Sequence, residues 1–244
     1  FPDEMITVRE FHSPKLGSRE ADYEDAFAYD LELGRFAVAD GASDSIFSGW
    51  WASCLAGEFV DGDYNLDNGS EYFQMLLNAR KKWYSGINWN RLPWNVKNKS
   101  IRGSYCTFMG VQLVRDDSLY CNAWAVGDSC FFIDDGKSLQ SFPVSSPEDF
   151  GVHPDLVWSG YGHPMNERKE YVPEYKVKSF KSEIENCKRI VLATDALSRY
   201  ILENGAESID RIWENSSSRE FFDKLRSDGS IKNDDLSAII ISFS

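Results

Sequence analysis

The sequence contains no apolar run approaching the roughly 18 residues that a membrane-crossing helix requires. It has no Cys-x-x-Cys pair and no Cys/His spacing of the kind that binds zinc. Basic residues are in deficit: 26 Lys and Arg stand against 39 Asp and Glu, a formal net charge of −13. A chain so acidic lacks the basic face that phosphate backbones demand, so neither nucleic acid nor a membrane is an expected partner. Walker, Rossmann and Gly-x-Ser-x-Gly patterns are also missing. No internal repeat, low-complexity tract or linker interrupts the chain, which predicts one domain over residues 1–244. The opening FPDEM has neither the basic nor the apolar region of a signal peptide, so a soluble, cytoplasmic protein is expected.

What is present is a succession of short apolar segments. MITVREFHS alternates as a strand does, and AFAYDLELGRFAVADG reads as two strands joined by a tight turn at Leu33-Gly34. SGWWASCLAGEFV suits a buried helix that places Trp50 or Trp51 in the core. EYFQMLLNARKKWYSGI carries Tyr72, Met75, Leu76 and Ala79 on one helical stripe. SYCTFMGVQLVRDDSLYCNAWAVGDSCFFIDDGKSLQSF reads as an antiparallel meander of strands separated by polar turns. After an irregular stretch from Ser145 to Pro173, EYKVKSF and RIVLATD read as strands. Helices are predicted over Ala196–Glu203, Ser208–Trp213 and Arg219–Leu225, and DDLSAIIISF closes as a buried strand. Strands grouped with strands and helices with helices predict an α+β sandwich rather than a parallel fold. The five cysteines, odd in number and mostly in apolar segments, read as buried free thiols.

Carboxylates recur where these strands end. Asp40 follows RFAVA, Asp195 follows RIVLAT, Asp234 precedes LSAIIISF, and Glu24-Asp25 precedes AFAYDL. Each alone has an ordinary explanation: Asp40-Gly41 is a turn dipeptide, Asp195 suits the N-cap of the next helix, and Asp234-Asp235 suits a solvated turn. Gathered at one rim of a sandwich they would repel one another, at a cost of several kcal/mol, unless a cation neutralised them. An all-oxygen donor set suits Mg²⁺ or Mn²⁺. DGDYNLDNGSEY fails as a calcium loop, because Leu66 and Tyr72 fall where an EF-hand needs Gly and Glu.

Taken in order, YEDAF, FAVADGAS, GSYCTFMGVQL, AWAVGDSCFFI, IVLATDAL and DDLSAIIISF resemble the metal-dependent serine/threonine phosphatases of the type 2C family, in a divergent, mainly bacterial form. The resemblance spans Glu24 to Phe243. It implies a four-layer αββα sandwich, two antiparallel sheets flanked by helices, with a site at one edge for two Mg²⁺ or Mn²⁺ ions. By this likeness Asp40 bridges both ions. Glu24 and the carbonyl of Gly41 serve one, and Asp195 and Asp234 the other, with Asp25 in support. Asp128 orients water or helps hold a third, weaker ion, with a simple turn as the equal alternative. Arg19 is the candidate phosphate ligand, or else an exposed solubilising residue. The implied function is hydrolysis of phosphoserine and phosphothreonine on protein substrates, in signalling. The alternatives are a phosphatase-fold binding module and a hydrolase of small phosphate esters.

Several positions depart from the family pattern. Ala42-Ser43-Asp44 replaces the usual Gly-Gly or His-Gly-Gly. Arg19 lies one residue further from Glu24 than is common. Cys130 stands where Arg is usual, Ala196 where Gly is, and Asp235 where Asn is. The Ser145–Pro173 stretch, with Phe150, His153, Trp158, Tyr161 and His163, reads either as a substrate-selecting flap or as a core-packed loop.

Overall fold

Long apolar strands that are buried on both faces need layers above and below them, and this requirement organises the chain. The structure is a computed structural model that describes residues 6–100, 102–151, 154–160, 177–184 and 186–243. One antiparallel sheet contains β1 (Ile6–Ser13), β7 (Cys130–Asp134), β8 (Leu139–Phe142), β11 (Arg189–Ala193) and β12 (Leu236–Phe243), in the order β1-β12-β11-β7-β8. The second contains β2 (Asp25–Asp30), β3 (Arg35–Asp40), β5 (Phe108–Arg115), β6 (Leu119–Val126) and β10 (Lys178–Glu183), in the order β10-β6-β5-β3-β2. A two-stranded pair, β4 (Tyr105–Cys106) with β9 (Val157–Trp158), lies outside both.

The sheets face each other across a core of Phe36, Val38, Met109, Val111, Phe131, Ile190, Leu192 and Ile239. Helices α1 (Ser48–Asp61) and α2 (Gly69–Ser85) cover the outer face of the second sheet through Trp51, Leu55, Phe59, Met75 and Trp83. A short helix, α3 (Trp94–Ser100), follows them. Helices α4 (Asp195–Asn204), α5 (Ala206–Glu214) and α6 (Arg219–Ser227) cover the first sheet through Leu197, Ile201, Ile209, Ile212 and Phe222. This is the four-layer αββα arrangement. Of the neighbouring tryptophans, Trp51 is fully buried and Trp50 is partly exposed. All five cysteines are free and buried.

One expectation is corrected. The middle of the chain is not a single meander: β5 and β6 pair with each other, but β7 leaves for the other sheet and pairs with β11 and β8. The reason is burial. Every residue of β7 is buried, so it needs a central position with apolar layers on both sides. Gly127-Asp128-Ser129 is therefore a crossing between sheets rather than a hairpin. In the Ser145–Pro173 stretch, residues 152–153 and 161–173 lie outside the described residues, among them His153, Tyr161 and His163. Phe150 packs against the helix-covered core, and Trp158 is buried with its indole N–H donating to the Arg102 carbonyl at 2.9 Å.

Helices α1 and α2 are fastened by Glu58, whose side chain is 8% exposed. Its carboxylate accepts from the Tyr64 hydroxyl at 2.6 Å and the Asn78 amide at 3.1 Å, and pairs with Lys82 at 2.8 Å. Burial pushes the pKa up, but the Lys82, Tyr64 and Asn78 hydrogen bonds outweigh it and hold it below the ordinary 4.5. A depressed carboxyl contributes stability above its unfolded pKa and loses it as pH falls through the folded value. Glu58→Gln should therefore cost about 1–3 kcal/mol at neutral pH. Its melting curve should converge on that of the unmodified protein at acid pH, as followed by circular dichroism.

Candidate active site

The carboxylates converge because both sheets end at the same rim. Asp40 is the last residue of β3, and its backbone is pinned by Thr107. The Asp40 N–H donates to the Thr107 hydroxyl at 3.1 Å, and the Thr107 N–H donates to the Asp40 carbonyl at 2.8 Å. Asp25 stands directly opposite Asp40 in the β2–β3 register, and burial beside other acids raises the pKa of both carboxyls. Asp195 is the first residue of α4 rather than the end of β11, and there its charge favours the helix N-terminus. Asp234 lies in the turn before β12, and Asp128 lies in the crossing between sheets. A cavity of about 440 Å³ is lined by Asp40, Gly41, Asp128, Asp195 and Asp234, together with Ser43, Asp44, Thr107 and Lys232.

Its electrostatics are strained. Burial, then the charges of Asp25, Asp195 and Asp234, push the Asp40 carboxyl well above the ordinary carboxylate range. Burial raises Asp25 likewise, against the Thr194 hydroxyl that donates to it at 2.8 Å. Burial and Asp195 push Asp128 up to about 6. Asp195 is raised by burial, with Lys232 opposing and Asp234 adding. Five carboxylates line the cavity against one ammonium, that of Lys232, which reaches Asp234 at 2.6 Å and Asp195 at 3.6 Å.

Gly41 is held by shape. An added Cβ would lie 2.6 Å from the Glu24 carbonyl oxygen and 2.8 Å from the backbone of Ser48, so no side chain fits there. Glu24 itself does not line the carboxylate cavity. Its carboxylate accepts from the Ser43 hydroxyl at 2.6 Å and the Ser48 hydroxyl at 2.7 Å, and pairs with Lys15 at 3.4 Å, on an adjoining cavity that shares Ser43. Arg19 is not brought to the cavity either. Its guanidinium forks onto Asp22 of the same turn, at 2.9 Å through both nitrogens, with the side chain 82% exposed.

Three residues support the site through contacts that the sequence did not show. Asp235 is buried and accepts the backbone N–H groups of Lys15 and Glu24, each at 2.8 Å, tying the segment before β2 to the Asp234 turn. Arg226 on α6 donates to the Asp234 carbonyl at 3.0 Å and to the Ser13 carbonyl at 2.8 Å. Thr194 joins Asp25 to the backbone N–H of Ser237. Each is a contact between residues far apart in sequence, which no local pattern marks.

Among the described residues no three His, Cys, Asp or Glu side chains already stand in a metal-holding arrangement. The donor chemistry nevertheless fits hard divalent cations: oxygen ligands only, a large excess of negative charge, and carboxyl pKa values raised by burial and then by mutual repulsion. Asp40, Asp195, Asp234 and the Gly41 carbonyl are the residues that would hold such ions, joined by Glu24 once it gives up its serine and lysine partners.

No protein-family model matches the chain. No curated protein matches it in sequence either. Solved structures do match in fold. The Mycobacterium tuberculosis serine/threonine phosphatase PstP/Ppp is 15% identical, with a TM-score of 0.60 over 97% of this chain and 98% of that one. The serine/threonine phosphatase Stp1 from Staphylococcus aureus is 13% identical, with a TM-score of 0.58 over 98% and 96%. The catalytic domain of PstP in complex with two manganese ions is 15% identical, with a TM-score of 0.57 over 98% and 99%. The chain has the fold of the type 2C serine/threonine phosphatases.

Proposed function

We propose that the chain acts as a single metal-dependent phosphatase domain hydrolysing phosphoserine and phosphothreonine on proteins. The observation that carries this reading is the cavity where Asp40, Asp128, Asp195 and Asp234 meet with one balancing ammonium. Two Mg²⁺ or Mn²⁺ ions, when bound, supply Lewis-acid polarisation of the phosphoryl group and a water acidic enough to react at neutral pH. The chain's residues do the positioning. The Asp40 backbone is fixed by Thr107, with Asp25 opposite it in the sheet, so the carboxylate is projected from a defined place on the rim. Asp128, which lines the same cavity, would accept a proton from attacking water. Lys232 is the one cation among the lining residues and would serve as a donor for a phosphate oxygen. Arg19 serves that role only after leaving Asp22.

The two ion positions are unequal. Asp40, Asp195 and Asp234 already share one cavity, whereas Glu24 is held off by Ser43, Ser48 and Lys15. Mn²⁺ titration calorimetry should resolve one tighter and one weaker event. Glu24→Gln should remove the weaker and leave the tighter within about threefold, roughly 0.6 kcal/mol. A single uniform event would contradict this assignment.

The substrate class is tested by phosphate release from phosphoserine and phosphothreonine peptides, nucleotides and sugar phosphates with Mn²⁺ or with EDTA. Metal-dependent preference for the peptides supports the proposal. Preference for a small ester would replace it with a small-molecule hydrolase. The lysines that already pair with Glu24, Asp195 and Asp234 favour a second reading, a binding module without catalysis. That reading predicts no rise in melting temperature on adding Mn²⁺.

A further inference from the structure

A second cavity, of about 430 Å³, adjoins the carboxylate cavity and shares Ala42, Asp44 and Leu156 with it. Its charge is reversed. Lys99, near the end of α3, and Arg102, just beyond it, both line it, and Asp44 on the shared wall is its one acid. Both cations are exposed, and neither side chain forms an ion pair or hydrogen bond with the described residues. In a chain of net charge −13, Lys99 and Arg102 place two cations side by side next to an acidic cavity.

One wall of the cavity is tied to its neighbours through backbone contacts. The Arg102 carbonyl accepts the Trp158 indole N–H at 2.9 Å, and the Arg102 N–H donates to Lys99 at 3.2 Å. The following residue, Gly103, has φ of 76° and packs so closely that a Cβ would meet the Gly160 carbonyl at 2.1 Å. The backbone that carries Arg102 is thus tied to the Trp158–Gly160 segment.

Resting on the function proposed above, we infer that Lys99 and Arg102 form a specificity subsite for an anionic group on the peptide beside the phosphorylated residue. The occupant is an acidic segment of the substrate protein. A phosphoryl group placed at Asp40 leaves the adjoining cavity to the flanking chain, which covers about 3.3 Å per extended residue. Negative side chains there meet the two cations, while the acidic cavity beyond repels a peptide without metal. A small ester has no group to place in this subsite. Charge pairs this exposed are individually weak and are screened by salt.

The test compares kcat/KM, at low and high salt, for phosphoserine peptides whose flanking residues are Glu, a second phosphoserine, Ala or Lys. Para-nitrophenyl phosphate serves as the control. Binding of the corresponding non-hydrolysable phosphonate peptides to the unmodified protein with Mn²⁺ is measured by calorimetry alongside. In the unmodified enzyme acidic flanks should raise kcat/KM roughly tenfold at low salt, through KM. The combined Lys99→Gln and Arg102→Gln variant should lose that preference and keep its para-nitrophenyl phosphate turnover. Equal gains from Glu and a second phosphoserine would define the ligand as any anion, and a gain from phosphoserine alone would define it as a phosphate. Either supports the subsite. Flank charge without effect, or a preference that survives in the double variant, overturns it. If para-nitrophenyl phosphate is not turned over at all, the proposed function fails. The calorimetric comparison of acidic and neutral peptides then still decides the subsite.

Discussion

Asp40→Asn should lower Mn²⁺-dependent phosphate-ester hydrolysis by at least roughly a thousandfold, about 4 kcal/mol of transition-state stabilisation. Asp40 sits where the two halves of the site meet, opposite Asp25 and on the cavity that Asp195 and Asp234 also line. Asn keeps the shape but removes the charge and one oxygen donor, so a shared cation loses its common ligand. The variant also separates a site defect from a folding defect. Without metal, the unmodified protein carries several crowded carboxylates whose repulsion opposes folding. Neutralising one relieves it, so the metal-free variant should melt at or above the temperature of the unmodified protein. Mn²⁺ should raise the melting temperature of the unmodified protein through binding to the folded state, and raise that of the variant far less. A variant with lowered metal-free stability and an intact Mn²⁺ shift would mean that Asp40 is structural and not a ligand.

Arg226→Ala should be the most damaging substitution away from the cavity. The guanidinium is buried and joins three places: the Ser13 carbonyl at 2.8 Å and hydroxyl at 2.9 Å, the Asp234 carbonyl at 3.0 Å, and the Asp223 carboxylate at 3.0 Å. Burial pulls its pKa down, against the attraction of Asp223. Removing it takes the donor from the Ser13 and Asp234 carbonyls and leaves Asp223 with Arg219 alone, at 3.6 Å, which costs roughly 3–5 kcal/mol. For a chain of this size that is about 6–20 °C of melting temperature. Because Arg226 also fixes the Asp234 turn, Mn²⁺ affinity should fall about tenfold or more even where the variant remains folded, as disturbed support does elsewhere. Lys supplies one compact donor instead of a planar fork, so Arg226→Lys should recover only part of either loss. An unchanged melting temperature would show that these contacts contribute little.

The layered fold was legible because its strands are short apolar runs and its helices carry periodic stripes. Asp40, Asp195 and Asp234 were legible for a related reason: a carboxylate directly after or before a buried strand is conspicuous. The likeness to a phosphatase family then placed Asp128, which local pattern could not distinguish from a turn. What stayed hidden depends on pairing across the chain. A Gly-Asp-Ser turn between two apolar runs looks the same whether the second strand returns beside the first or crosses to the other sheet, and here it crosses. The grip of Ser43 and Ser48 on Glu24 spans 19 and 24 residues, and that of Arg226 on Ser13 spans 213. Arg19 shows the converse. Its place in the sequence suits a phosphate ligand, but Asp22, three residues on, offers a nearer partner.

The central claim is that the rim carboxylates hold divalent cations in order to hydrolyse phosphate esters. Its most direct test is hydrolysis of para-nitrophenyl phosphate by chelator-treated protein, before and after Mn²⁺ is restored. Turnover should be absent without metal, saturable with it, and abolished again by EDTA. Turnover that persists in EDTA, or none with Mn²⁺ present, would contradict it.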